Sequence, residues 1–167
     1  IDFDYGFMLF QPSSTFNSIN ENLDFLKLIS NDGFTPVIFT KLLPYFETFV
    51  EKELTKEGRL KGTPGFMDYD FSGESMNQYY DFVNECFAEW LKDAEGLVNI
   101  SKWARNYFSV YSRYYDLSPK VYSLDRKVHQ VISESNLFII DTLKELAQLF
   151  ESKKYKRGKK RTLEKFR

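Results

Sequence analysis

Cysteine and histidine are nearly missing: the 167 residues hold one of each, Cys86 and His129. One thiol cannot close an internal disulfide. Nor can these two residues alone hold a structural zinc or an iron–sulfur cluster, which need several thiolate or imidazole ligands. The lack of a disulfide framework points to a reducing compartment, and a cytoplasmic protein is expected. No apolar run comes near the ~20 residues of a membrane-spanning helix. A secretory leader is not legible either, because the first residues are acidic and aromatic rather than basic and then apolar.

What is present suffices for a core. Hydrophobic residues make up 43% and aromatic residues 18% of the chain. That excludes wholesale disorder and suits one domain or one and a half. The net charge of −1 conceals a division: residues 151–167 carry nine Lys/Arg and two Asp/Glu, and the other 150 residues carry 14 and 22. The body is acidic and the tail basic. The chain starts at Ile1 rather than at methionine, and a strand pattern begins almost at once. It is therefore expected to be the carboxyl-terminal piece of something longer.

Residues 4–10 read as a buried strand, a short apolar run without alternation. Pro12, Ser13, Ser14 and Thr15 break it and supply an N-cap. A helix follows to about Ser30, with Phe16, Ile19, Leu23, Leu26 and Ile29 on one face. Asn31-Asp-Gly33 ends it, and 35–40 form a second strand. The connection suits a parallel crossover. A short helix spans Thr48 to Lys56, closed by Gly58. Residues 61–73, with Gly62, Pro64, Gly65 and Gly73, read as a linker loop. Three helical stripes follow: Met76 to Ala94, Leu97 to Tyr114, and a long one opened by Pro119. The expected organisation is 1–60, a linker over 61–73, a helical region over 74–152 and a basic tail over 153–167.

Several pieces of the first 71 residues, in order, resemble a known family. They are Gly6-Phe-Met-Leu-Phe-Gln-Pro12 with Thr15, Glu21-Asn-Leu-Asp-Phe-Leu26, Leu43-Pro-Tyr45 with Thr48, Glu57-Gly-Arg-Leu-Lys-Gly62 and Asp68-Tyr-Asp-Phe71. The pattern resembles the end of the catalytic barrel of radical S-adenosylmethionine enzymes of the class carrying a cobalamin-binding domain. The resemblance implies an α+β chain: the last strand–helix–strand portion of a partial (β/α) barrel, then a mostly α-helical region. It also implies S-adenosylmethionine, a [4Fe–4S] cluster and cobalamin in the complete enzyme. Its partner would be the amino-terminal part that holds the cluster-binding barrel and cobalamin domain. The family holds its cluster in a Cys-x3-Cys-x2-Cys loop, and with one cysteine this chain has none. The family usually has a glycine just before the threonine that follows Pro-Tyr; here Glu47 stands there. A position needing positive φ disfavours glutamate.

By the resemblance, Gln11, Ser13, Thr15, Thr40, Pro44 and Tyr45 would border S-adenosylmethionine at the mouth of the strands, with Ser14 and Lys41 beside them. The residues themselves also read more plainly. Ser13, Ser14 and Thr15 suit helix capping, and Thr40 to Tyr45 suit loop packing. Arg59 and Lys61 are expected as solvated ends of a short helix, and Asp68 and Asp70 as turn acceptors. His129 is expected on the surface and Cys86 in the core. Trp90, Trp103, Tyr107 and Tyr111 fall at helical spacing, so core packing is favoured over base stacking. The tail from Lys153 to Arg161 is a basic end; nucleic acid is an alternative partner for it but not the favoured one. The leading expectation is the radical-enzyme fragment. The alternative is a stand-alone helical interaction module whose basic tail binds nucleic acid or protein. The substrate, a small molecule or a peptide, is not legible.

Overall fold

The computed structural model describes residues 6–37, 39–116 and 118–153. Strand β1, Phe7–Phe10, lies parallel to β2, Phe39–Lys41, with Phe7 opposite Phe39 and Phe10 opposite Lys41. Helix α1, Phe16–Ser30, joins them. Its start is fixed by reciprocal bonds: Thr15 Oγ1 accepts the Ser18 N–H at 3.1 Å and Ser18 Oγ accepts the Thr15 N–H at 2.9 Å. Ile19, Leu23 and Leu26 are fully buried, as the period requires. Gly33 follows in the left-handed region at φ 71°, and a Cβ there would lie 2.2 Å from the His129 carbonyl oxygen. Only glycine suits both demands.

Helix α2, Phe49–Lys56, is capped by Thr48. Where a linker was expected, the chain instead forms an antiparallel hairpin of β3, Leu60–Thr63, and β4, Phe66–Tyr69. Pro64 and Gly65 make its turn, with Gly65 at φ 92°. A fixed proline φ followed by a left-handed glycine reverses the chain in two residues, so the punctuation that suggested a linker is turn chemistry. Three helices follow: α3, Glu74–Lys92, α4, Leu97–Tyr114, and α5, Pro119–Glu151.

One continuous core joins the first strands to the last helix. Leu9, Phe10, Leu23, Val37, Tyr79, Phe87, Leu143 and Phe150 are among its members. At ~1.5–3 kcal/mol for each large apolar side chain removed from water, it outweighs any single polar contact. Phe10 is its hub, with rings of Phe39, Phe71, Tyr79 and Tyr80 centred within 6.1 Å. On β1, Met8 is exposed rather than buried, which departs from the uniformly covered strand expected. The expected strand's first two residues, Asp4 and Tyr5, and the tail beyond Lys153 lie outside the described residues.

Candidate functional site

The carboxyl ends of β1 and β2 gather most of the pieces that carried the resemblance. Arg59, from the stretch after α2, reaches across 47 residues to donate to the Pro12 carbonyl at 3.1 Å. The same Nη1 donates to the Asp70 carbonyl at 2.8 Å, and the Asp70 N–H returns a bond to the Arg59 carbonyl at 2.9 Å. Glu57 holds the other side of the guanidinium. Arg59 is therefore not the solvated helix end expected of it. It ties three segments together.

Lys41, the last residue of β2, makes the second tie. Its side chain is 9% exposed. The ammonium donates to Asp68 Oδ1 and to the Tyr69 carbonyl, each at 2.6 Å. It also lies 4.2, 4.8 and 4.6 Å from the ring centres of Tyr69, Phe71 and Tyr80. A cation over three ring faces, with an anion beside it, recovers much of the solvation lost on burial. Burial raises the Asp68 pKa, but the Lys41 and Tyr69 N–H bonds outweigh it and hold the carboxyl below its ordinary value. Burial pushes the phenols of Tyr69 and Tyr80 up. The Tyr69 hydroxyl donates to the Phe10 carbonyl at 3.1 Å, binding the hairpin to the first strand. Asp68 and Asp70 both serve as ion-pair acceptors, Asp70 for the exposed Lys61 at 2.6 Å.

Between Tyr45 and Thr48 the chain turns with Glu47 at φ 63°. The position does demand the left-handed conformation, and a glutamate occupies it. Thr48 closes the turn by donating its hydroxyl to the Tyr45 carbonyl at 2.6 Å.

The expected cofactor-contact residues fall into two groups. Ser13, Ser14 and Thr15 border an open cleft of about 1030 Å³ that also touches Ser72, Gly73 and Lys153. Gln11, Thr40, Pro44 and Tyr45 are not among its lining. Ser14 is spent on its own turn, its Oγ accepting the Gln11 N–H at 2.8 Å. Thr15 is spent on capping α1. Pro44 is buried and Tyr45 exposed. Thr40 is exposed, and its hydroxyl points to the Phe7 carbonyl at 3.5 Å.

Two single residues differ in fate. Cys86 is buried in α3, as expected. His129 is not a surface histidine: it is half-buried, with its ring 4.4 Å from that of Phe34 and its Nε2 3.6 Å from Asp125. Arg105 donates to the same carboxylate at 3.1 Å. Among the described residues, no group of three His, Cys, Asp or Glu could hold a metal, and no helix is long and apolar enough to cross a membrane. The core-first reading of the aromatic stripes holds largely for Trp90, which packs against the core. It fails for Trp103, Tyr107 and Tyr111, which are exposed. Helical periodicity reveals that a face is apolar but not that anything covers it. Sequence reasoning missed the ties made by Lys41 and Arg59, whose partners lie far along the chain.

No family model matches this chain, and comparisons with curated proteins and with solved structures return no match.

Proposed function

We propose that this chain is the carboxyl-terminal part of a radical S-adenosylmethionine enzyme with a cobalamin-binding domain. It supplies the last strand–helix–strand of a partial (β/α) barrel and a helical cap. One observation carries the reading: pieces from residues 6–12, 57–62 and 68–71 bond to one another at the carboxyl ends of two parallel strands. Two features support it. Glu47 takes the left-handed conformation where the family usually has glycine, and among the described residues the β1–β2 sheet has no third strand. In a barrel such edges continue into neighbouring strands.

The iron–sulfur cluster does not fit this chain, because its one thiol is buried in α3 and a cluster needs several. Its ligands are proposed to lie in the preceding part of the barrel. Gln11, Ser13, Thr15, Thr40, Pro44 and Tyr45 are the residues proposed to border S-adenosylmethionine. The complete enzyme would carry out a radical-initiated alkylation or rearrangement on a small molecule or peptide. The chain's own contribution is to close the strand mouth and exclude water from it.

The longer polypeptide is the test. Extended upstream and reconstituted with iron and sulfide, it should show the visible absorbance of a thiolate-bound cluster, and the 167-residue chain should show none. An upstream sequence without a Cys-x3-Cys-x2-Cys loop overturns the reading. A second reading, a helical interaction module, is favoured by one specific observation, the exposed aromatic face of α4.

A further inference from the structure

Helix α5 delivers the chain to the cleft that Ser13 to Thr15 border. Lys153, just past the helix end, stands at φ 57°, its N–H donating to the Phe150 carbonyl at 3.1 Å. A left-handed residue there turns the chain off the helix axis. Lys153 lines the cleft together with Glu151, Glu74 and Gln78. Glu74 and Gln78 lead on to Asp81 at spacings of four and three residues, so the three share one face of α3.

Charge narrows what this surface takes. Glu74, Asp81 and Glu151 are exposed, and among the described residues none of them stands in an ion pair. Elsewhere Asp24, Asp68, Asp70, Asp125 and Asp141 each have a Lys or Arg partner. Glu74 accepts a bond from Gln78 Nε2 at 2.9 Å, which leaves its charge unneutralised. The helix starts that open on the cleft do not reverse the sign. Thr15 caps α1, and the full charge of Glu74 outweighs the roughly half charge at the start of α3.

The cations follow at once along the chain. Residues 154–167 hold eight Lys/Arg and one Asp/Glu, six of those cations within 154–161, whereas residues 1–153 hold 15 and 23. Eight residues reach up to ~26 Å, and Glu74 and Asp81 lie ~10 Å apart along α3. We propose that residues 154–161 fold back into this cleft and along the Glu74–Asp81 face, where tail cations meet the three carboxylates. The tether keeps the tail at a high effective concentration there, so surface pairs that are weak singly act together.

The test is zero-length carbodiimide coupling on the full chain, which joins an amine to a carboxylate only where the two touch. Peptide mapping of the monomer should find Lys154, Lys156, Lys159 or Lys160 joined to Glu74, Asp81 or Glu151. The yield should not change on dilution and should fall about tenfold between ~0.05 and ~0.5 M salt. In a triple variant, Glu74→Gln with Asp81→Asn and Glu151→Gln, trypsin should cut within 154–161 about three- to tenfold faster. Circular dichroism checks that variant, and the coupling on the unaltered chain stands without it. Tail lysines that couple to these three carboxylates no more than to the exposed Glu53 and Glu95 overturn the proposal. Trypsin cleavage unchanged in a folded triple variant does the same. Two other outcomes overturn it by reassigning the tail. Coupling found only between two chains gives it to a second copy. Absent coupling, with a single-stranded oligonucleotide bound at low salt, gives it to nucleic acid.

Discussion

Asn136 on α5 and Val37 just before β2 are 99 residues apart in sequence and joined by a 2.7 Å bond, the Val37 N–H donating to Asn136 Oδ1. The same amide donates to the Ser30 carbonyl at 2.9 Å and to the Thr35 carbonyl at 3.0 Å. One buried side chain therefore satisfies three backbone groups between α1 and β2. It sets where the second strand begins.

Replacing Asn136→Leu leaves those groups unpaired in the core and should cost about 3 kcal/mol or more in a denaturant titration. Asn136→Asp keeps the acceptor for Val37 but sets a carboxylate against two carbonyls. Its folded pKa should be raised, so its stability should be greatest below the ordinary carboxylate range and fall as pH rises. An Asn136→Asp protein that gains stability between acid and neutral pH contradicts the assigned bonds.

Lys41→Met retains an apolar stem of similar length but loses the ammonium. The Tyr69 carbonyl then lacks its donor and three rings lose their cation. A cost of about 2 kcal/mol is expected from these losses. A variant as stable as the parent would show that the tie contributes nothing.

Glu47→Gly should stabilise the chain. A non-glycine residue held in the left-handed region costs ~1–2 kcal/mol, and the greater unfolded-state freedom of glycine returns ~0.4–1 of it. A net gain of about 0.5–1 kcal/mol in chemical denaturation is the expected outcome. Destabilisation by the glycine would mean that the Glu47 side chain makes a contact worth more than the strain.

The acid limb of stability should carry a signature of Asp68. Burial works to raise its carboxyl, but the bonds from Lys41 and the Tyr69 N–H prevail and lower it from the ordinary 3.8. A lowered folded pKa gives stability that is present above the unfolded value and lost as pH falls through the folded one. Asp68→Asn should therefore flatten the decline of stability below about pH 4. An unchanged acid limb refutes the linkage.

At the alkaline end, burial raises the phenols of Tyr69, Tyr79 and Tyr80 above the ordinary 10.0. The Tyr79 hydroxyl donates to the Leu143 carbonyl at 3.0 Å inside the core. A raised folded pKa gives stability that is complete below pH 10 and lost as pH climbs toward the folded value. In a phenolate absorbance titration these three should ionise late, together with the loss of circular dichroism, and Tyr79→Phe should shrink that late step. Ionisation of all tyrosines before any unfolding would sink the expectation.

Local chemistry was what the sequence made readable. Thr15 and Thr48 announce their helices because a cap acts within three residues, and Gly33 ends α1 because its φ is a property of its own backbone. Glu47 stood out for the same reason. The hairpin over residues 60–69 was hidden by its short strands, which are mostly exposed and lack an apolar alternation. Lys41 and Arg59 could not be seen as ties, because their partners are 27 and 47 residues away and no spacing rule links them. His129 looked exposed from its charged neighbours, but Phe34 and Asp125 lie against its ring. The α4 stripe was assigned to a core that α4 meets with its other side.

Helix α5 is one unbroken rod of 33 residues, yet all its buried residues, from Ile132 to Phe150, lie in its second part. The segment from Pro119 to Val131 has none. Amide protection along this single helix should therefore be graded rather than uniform, with local opening of the leading turns well before the trailing ones. A uniform secondary structure thus carries two thermodynamic regimes, an anchor clamped on α1 and a lever that can loosen without releasing it.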